Sequence, residues 1–200
     1  MNKINQPELL KNAYSSLNSV FNTINIYEEP MSFRDTIESK VLLYLKSDEN
    51  ISLLWSALRH AAAFMGEHLI YASTLWSNLG KGFEKFEYFL LDIAEIEYFE
   101  IEKTGAFEAI RSIPNAYYST SGSWGVYDSD EGYFLVGGTR EFLSILCSYY
   151  PFCETDLDDF TNYWLNLVGN NEPALKHYKL MLDAILVEKD STIYLNNFLF

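Results

Sequence analysis

Apolar positions recur at intervals of three and four at the start of the chain. Leu10, Ala13, Tyr14, Leu17, Val20, Phe21 and Ile24 fall on one stripe, which predicts an amphipathic helix over about 7–25, ended by Glu28-Glu29-Pro30. Ser32-Phe33-Arg34-Asp35 has the form of a capping box and predicts a second helix over about 33–46, with Ile37, Val41, Tyr44 and Leu45 on one side. The stretch 51–80 is dense in apolar and aromatic residues, with Trp55, Leu58, Ala62, Met65, Leu69, Ala72 and Trp76. It reads as one or two buried helices with a break at Gly66. Phe83, Phe86, Leu90 and Ile93 make a further helical stripe that runs to about Glu95.

The period then shortens to two. Glu95-Ile96-Glu97-Tyr98 and Glu100-Ile101-Glu102 alternate around Phe99, as a strand with a bulge does. Pro114 to Gly138 is the most strand-like region. Trp124 and Val126 alternate with small or polar neighbours, as do Tyr133, Leu135 and Gly137, and Asp128 to Gly132 has the length and the glycine of a hairpin loop. Gly137-Gly138 is expected to stop the second strand. Three helices are expected next. Phe142, Ile145, Leu146 and Tyr149 mark one, stopped by Pro151. Thr155-Asp156-Leu157-Asp158 caps another that Gly169 closes, and Pro173 opens the last. Ser191 to Phe200 reads as a terminal strand or docked tail.

These elements predict a helix-rich α+β single domain, with a small antiparallel sheet (hairpin about 123–138) between N- and C-terminal helical blocks. The helical blocks span 7–95 and 139–188, and the strand region spans 96–138. No run approaches the ~18 uncharged apolar residues of a membrane span. The opening Met1-Asn2-Lys3-Ile4-Asn5-Gln6 has no apolar signal core, so a cytoplasmic location is expected.

Charge changes the picture most. The 200 residues carry 28 acids against 14 bases, a net charge of −14, which argues against nucleic acid or an anionic membrane as partner. The excess is uneven: net −2 over 1–80, −11 over 81–160 and −1 over 161–200. Glu97, Glu100 and Glu102, the cluster Asp128-Ser129-Asp130-Glu131 and the cluster Glu154 to Asp159 supply much of it. A like-signed surface costs self-repulsion that a cationic partner relieves.

Motifs that specify chemistry fail on spacing. His60 and Glu67 lie seven residues apart, about 10 Å along an unbroken helix, too far to share an ion unless the chain turns at Gly66. Cys147 and Cys153 have no second pair to complete a zinc site and are expected as buried structural thiols. Gly122-Ser123-Trp124-Gly125 lacks the nucleophile-elbow spacing. Asp128 to Gly132 lacks the glycine and glutamate positions of a calcium loop. Thr139 after Gly137-Gly138 reads as an ordinary helix cap. No catalytic residue, metal or cofactor is assigned.

Trp124-Gly125-Val126-Tyr127-Asp128, followed by Gly132-Tyr133-Phe134-Leu135-Val136-Gly137-Gly138, is similar to aromatic, glycine-bearing hairpins of several immunity families. In length, acidity and layout the chain resembles the small acidic immunity proteins of bacterial polymorphic toxin and contact-dependent inhibition systems. The resemblance implies a cytoplasmic inhibitor without cofactor or turnover, which binds a cognate basic toxin, such as a nuclease domain. Glu97, Glu100, Glu102, Asp128, Asp130, Glu131, Asp158 and Asp159 would steer it, with Trp124 and Tyr127 as aromatic anchors. Two other classes stay open. One is a ligand-binding protein or enzyme with a pocket near 51–80 that uses His60 and Glu67. The other is a subunit of a larger assembly, joined through Phe198-Leu199-Phe200.

Overall fold

The computed structural model describes residues 2–22, 33–44, 46–74, 86–95, 115–129, 132–169, 171–173, 175, 176, 179 and 182. The architecture is α+β. Seven antiparallel strands form one sheet in the order β1-β4-β3-β5-β6-β7-β2. They are β1 (Asn2–Lys3), β2 (Ser39–Tyr44), β3 (Leu69–Thr74), β4 (Glu87–Asp92), β5 (Asn115–Ser119), β6 (Gly125–Asp128) and β7 (Tyr133–Gly138). The helices are α1 (Pro7–Val20), α2 (Asp48–Phe64), α3 (Arg140–Tyr149) and α4 (Asp156–Val168), and a short 3-10 turn spans Ile93–Glu95.

The sheet is larger than the expected hairpin and takes strands from the segment expected to be helical. Three predictions are corrected here. The helix expected over 33–46 is replaced by β2, the end of the 51–80 block by β3, and the helix expected up to Glu95 by β4. One physical reason covers all three. The sheet is buried on both faces, so Val41-Leu42-Leu43, Ile70-Tyr71-Ala72 and Tyr88-Phe89-Leu90-Leu91 are continuous apolar runs. Such runs do not separate strand from helix by period.

Alternation assigns the two faces. Leu43, Ile70, Ala72, Phe89, Leu91, Tyr117, Val126, Phe134 and Val136 meet α2 and α3 in one core. Leu42, Tyr71, Tyr88, Ala116, Tyr118, Tyr127, Tyr133 and Leu135 meet α1, Phe21, Phe33, Ile37 and Phe160 of α4 in the other. The sheet is therefore the middle layer of three, not an insert between two helical blocks.

Glycine explains how α1 ends. A Cβ on Gly125 would stand 2.6 Å from Val20 and 2.9 Å from Phe21, and one on Gly137 would stand 2.7 Å from Phe33 and 2.9 Å from Ile37. Gly125 and Gly137 are cross-strand partners, so together they form a socket for the stacked rings of Phe21 and Phe33, 5.0 Å apart. Phe21 leaves the helical conformation to enter that socket, and α1 stops at Val20, before the predicted 25. Gly137 and Gly138 are the last two residues of β7, which ends there as expected, and both admit neighbouring rings.

Other local expectations hold. α2 turns at Gly66 (φ 76°) into β3. The 128–132 hairpin closes with Gly132 at φ 82°, and Ser129 N–H donates to Tyr133 O at 3.0 Å. Thr139 caps α3 by accepting from Phe142 N–H at 3.1 Å. α3 ends just before Pro151, and α4 ends at Gly169. By contrast, Thr155 makes no side-chain cap to α4. Most of the helix expected after Pro173, and all of 191–200, lie outside the described residues.

The cysteines are paired, not free. The end of α3 and the turn at Pro151 bring the Cα atoms of Cys147 and Cys153 within 5.4 Å, and a disulfide joins them. Among the described residues, no helix is long and apolar enough to cross a membrane.

Candidate functional site: an acidic end of the sheet

One ladder row runs Glu87, Thr74, Asn115, Asp128, Phe134 and Leu43 across six strands. It lies at the end of the sheet where β2 leaves for α2, where the 128–132 loop turns, and where α4 begins. Glu49, Glu87, Asp128, Glu154, Asp158 and Asp159 are spread along this end from four separate parts of the chain, with Glu87 on β4 furthest from β2. Lys3 and Lys46 lie at the same end, each already engaged: Lys3 with Glu87, Lys46 with Asp159 and Asp156. The opposite end carries mixed signs, with Arg34, Glu38, His68, Asp92, Arg140 and Glu141. Acidic side chains in the first turns of α2 and α4 also complement the positive ends of those helix dipoles, which holds part of the charge in place.

Aromatic rings line the acidic end. Tyr44 is cross-strand partner to Tyr133, and its ring lies 5.5 Å from both Phe160 and Tyr163 of α4. Tyr133 lies 5.0 Å from Phe160, so the hairpin, β2 and α4 share one aromatic contact. Tyr163 remains 46% exposed, enough ring surface to meet a partner. Burial, with Tyr163 adding to it and Lys46 opposing it, raises the Tyr44 phenol above its ordinary pKa.

Beneath this surface sits a buried carboxylate. Asp156 is 0% exposed and accepts from the Tyr150 hydroxyl at 2.8 Å. Desolvation raises its pKa; the Tyr150 hydroxyl, the Tyr44 backbone amide and Lys46 partly oppose the rise. The same burial, and the bond to Asp156, push the Tyr150 phenol well up. Phe152, inside the Cys147–Cys153 loop, accepts from Asp156 N–H at 2.9 Å through its carbonyl, and its ring faces Lys46. The disulfide therefore frames the residues that hold Asp156.

The predicted contact residues divide three ways. Asp128 is half-buried at the acidic end, Asp158 is exposed, and Asp159 is engaged by Lys46. Trp124 and Tyr127 are corrected as surface anchors. Trp124 is 1% exposed and stacks on Phe142 at 4.8 Å, and Tyr127 is 7% exposed within the α1 core. A sheet covered on both faces leaves no outward position for either ring. Glu97, Glu100, Glu102, Asp130 and Glu131 lie outside the described residues, as does Phe198-Leu199-Phe200.

His60 and Glu67 do not converge. The His60 ring stacks on Tyr149 at 4.3 Å and its Nδ1 lies 2.8 Å from Ser56 O. Past the turn at Gly66, Glu67 accepts from Ser121 Oγ at 2.6 Å and Thr120 Oγ1 at 3.0 Å, tying α2 to the β5–β6 turn. Among the described residues, no three His, Cys, Asp or Glu side chains are grouped to hold a metal.

Sequence reasoning missed Tyr44, Lys46, Tyr150, Asp156 and Tyr163. Only the acidity of 154–159 signalled the place. Comparison of the chain with protein-family models, with curated proteins and with solved structures found no match.

Proposed function

We propose that the chain is a binding protein that neutralises a basic protein toxin, in the manner of bacterial immunity proteins, through the acidic end of its sheet. The observation that carries this reading is the placement of Asp128, Asp158 and Asp159 at the sheet end that also carries half-exposed Tyr163, where Lys46 is already engaged. Such a surface attracts cationic partners at long range and offers an aromatic ring for close contact. Charge sets the rate and selectivity of encounter, and the tyrosines contribute buried contact area. Binding alone accounts for this activity, and no catalytic residue is invoked.

The test is protection. A basic protein encoded beside this chain is expected to stop growth when expressed alone and to be neutralised on co-expression. Reversal of Asp128, Asp158 and Asp159 to Lys is expected to lower the association rate at least about tenfold at low salt and to abolish protection, with the far-ultraviolet spectrum unchanged. Protection by the triple variant equal to wild type would overturn the site, and a neighbour that this chain neither binds nor neutralises would overturn the function. The proposal also assigns a cytoplasmic location.

A further inference from the structure

We propose that Lys46 is the resident occupant of a guanidinium-binding pocket, and that an arginine side chain of the basic partner takes its place. The inference rests on the basic-partner reading above and names the side chain that the acidic end receives. Asp156 opens a helix of 13 residues and is wholly buried. Its Oδ2 accepts from Tyr150, but its Oδ1, also buried, accepts no hydrogen bond. The Lys46 ammonium stands 3.7 Å from that oxygen, because it is engaged with Asp159 on its other side. The Phe152 ring lies 6.0 Å from the same nitrogen and supplies an aromatic wall.

Two carboxylates and a ring thus surround a cation that serves only one of them closely. An ammonium is a compact charge with three donors. A guanidinium is planar, carries five N–H donors in a fixed fork and stacks on aromatic faces. Between Asp156 and Asp159 it can donate to both while its plane rests on Phe152, and it gives the orphaned Oδ1 the bond it lacks. Leaving a buried carboxylate oxygen without a donor is costly, so the exchange is favoured by chemistry already present in the fold. The Lys46 side chain is 36% exposed and lies in the short connection between β2 and α2, from which it can swing into water.

Calorimetric titration of the full chain with nona-arginine and nona-lysine at low salt tests the pocket. Lys46→Met removes the resident cation and keeps the apolar stem. It is expected to bind nona-arginine about tenfold tighter than wild type, with a smaller gain for nona-lysine. Adding Asp159→Asn should remove that gain. Adding Glu49→Gln, which deletes the same charge elsewhere at this end, should leave it. Equal gains for the two peptides, or a gain that survives Asp159→Asn, overturn the pocket. If Lys46→Met fails to fold, Lys46→Arg decides the matter. Its own guanidinium fills the site, so Tm should rise and nona-arginine affinity fall; no change in either overturns the inference. Protection of cells by wild type together with any of these negative results removes the pocket alone, whereas loss of wild-type protection removes the basic-partner reading whatever the peptides do.

Discussion

Asp156 concentrates the chemistry of the acidic end in one side chain. Its ordinary carboxyl pKa is 3.8 and burial raises it in the folded chain. Between those two values the native state holds a proton that the unfolded state has released, so the free energy of unfolding falls as pH rises through the window. In Asp156→Asn that dependence is absent while an amide still faces Tyr150. The stability of wild type relative to Asp156→Asn is therefore expected to increase as pH is lowered from 7 towards 4, read from urea midpoints at each pH. A difference that stays flat over this range would mean that the carboxyl titrates normally and that Lys46 fully compensates its burial. The charge pattern alone marked 154–159 as acidic, yet it could not single out Asp156 from Asp158 and Asp159. What separates it is complete burial, with bonds from the Tyr150 hydroxyl and from the backbone of Tyr44, which lies more than 100 residues earlier in the chain.

At the scale of elements, Thr139 and Thr155 look alike in sequence and differ in structure. Thr139 accepts from Phe142 N–H at the start of α3, whereas Thr155 adopts a helical backbone and caps nothing. Thr139→Ala is expected to cost about 1 kcal/mol. Thr155→Ala should change stability by no more than about 0.5 kcal/mol, both by chemical denaturation. Equal losses would contradict the assignment of the α4 start. The helices α1, α3 and α4 and the 128–132 hairpin were legible because each has a dry and a wet side, or a glycine at a turn. β2, β3 and β4 were not, because both their faces are dry. The expected free thiols became a disulfide for a related reason: spacing in sequence does not reveal that a helix end and a proline turn fold Cys153 back onto Cys147. Trp124 and Tyr127 cannot serve as anchors because both faces of the sheet are covered at those positions.

At the scale of the molecule, charge among the described residues is polarised along the strand direction, acidic at one end and mixed at the other. Repulsion among exposed carboxylates is screened over about 10 Å at 0.1 M salt. Tm is therefore expected to rise as sodium chloride is increased from about 0.02 to 0.3 M, measured by calorimetry, and the rise should be blunted when Asp128 and Asp158 are replaced by Asn. A salt-independent Tm would show that Lys3, Lys46 and the helix dipoles already neutralise this end. The strand order has a consequence of a different kind. β2 is the second strand in chain order among the described residues and closes one border of the sheet, yet its neighbour β7 is encoded roughly a hundred residues later. During synthesis, Val41-Leu42-Leu43 leaves the ribosome with no strand to join until Tyr133 to Gly138 has followed. At ~5–20 residues per second that interval is several seconds, during which an apolar strand stands open to foreign pairing. Closure of the sheet thus waits on the second half of the message, and the chain matures as a unit after most of it has been translated.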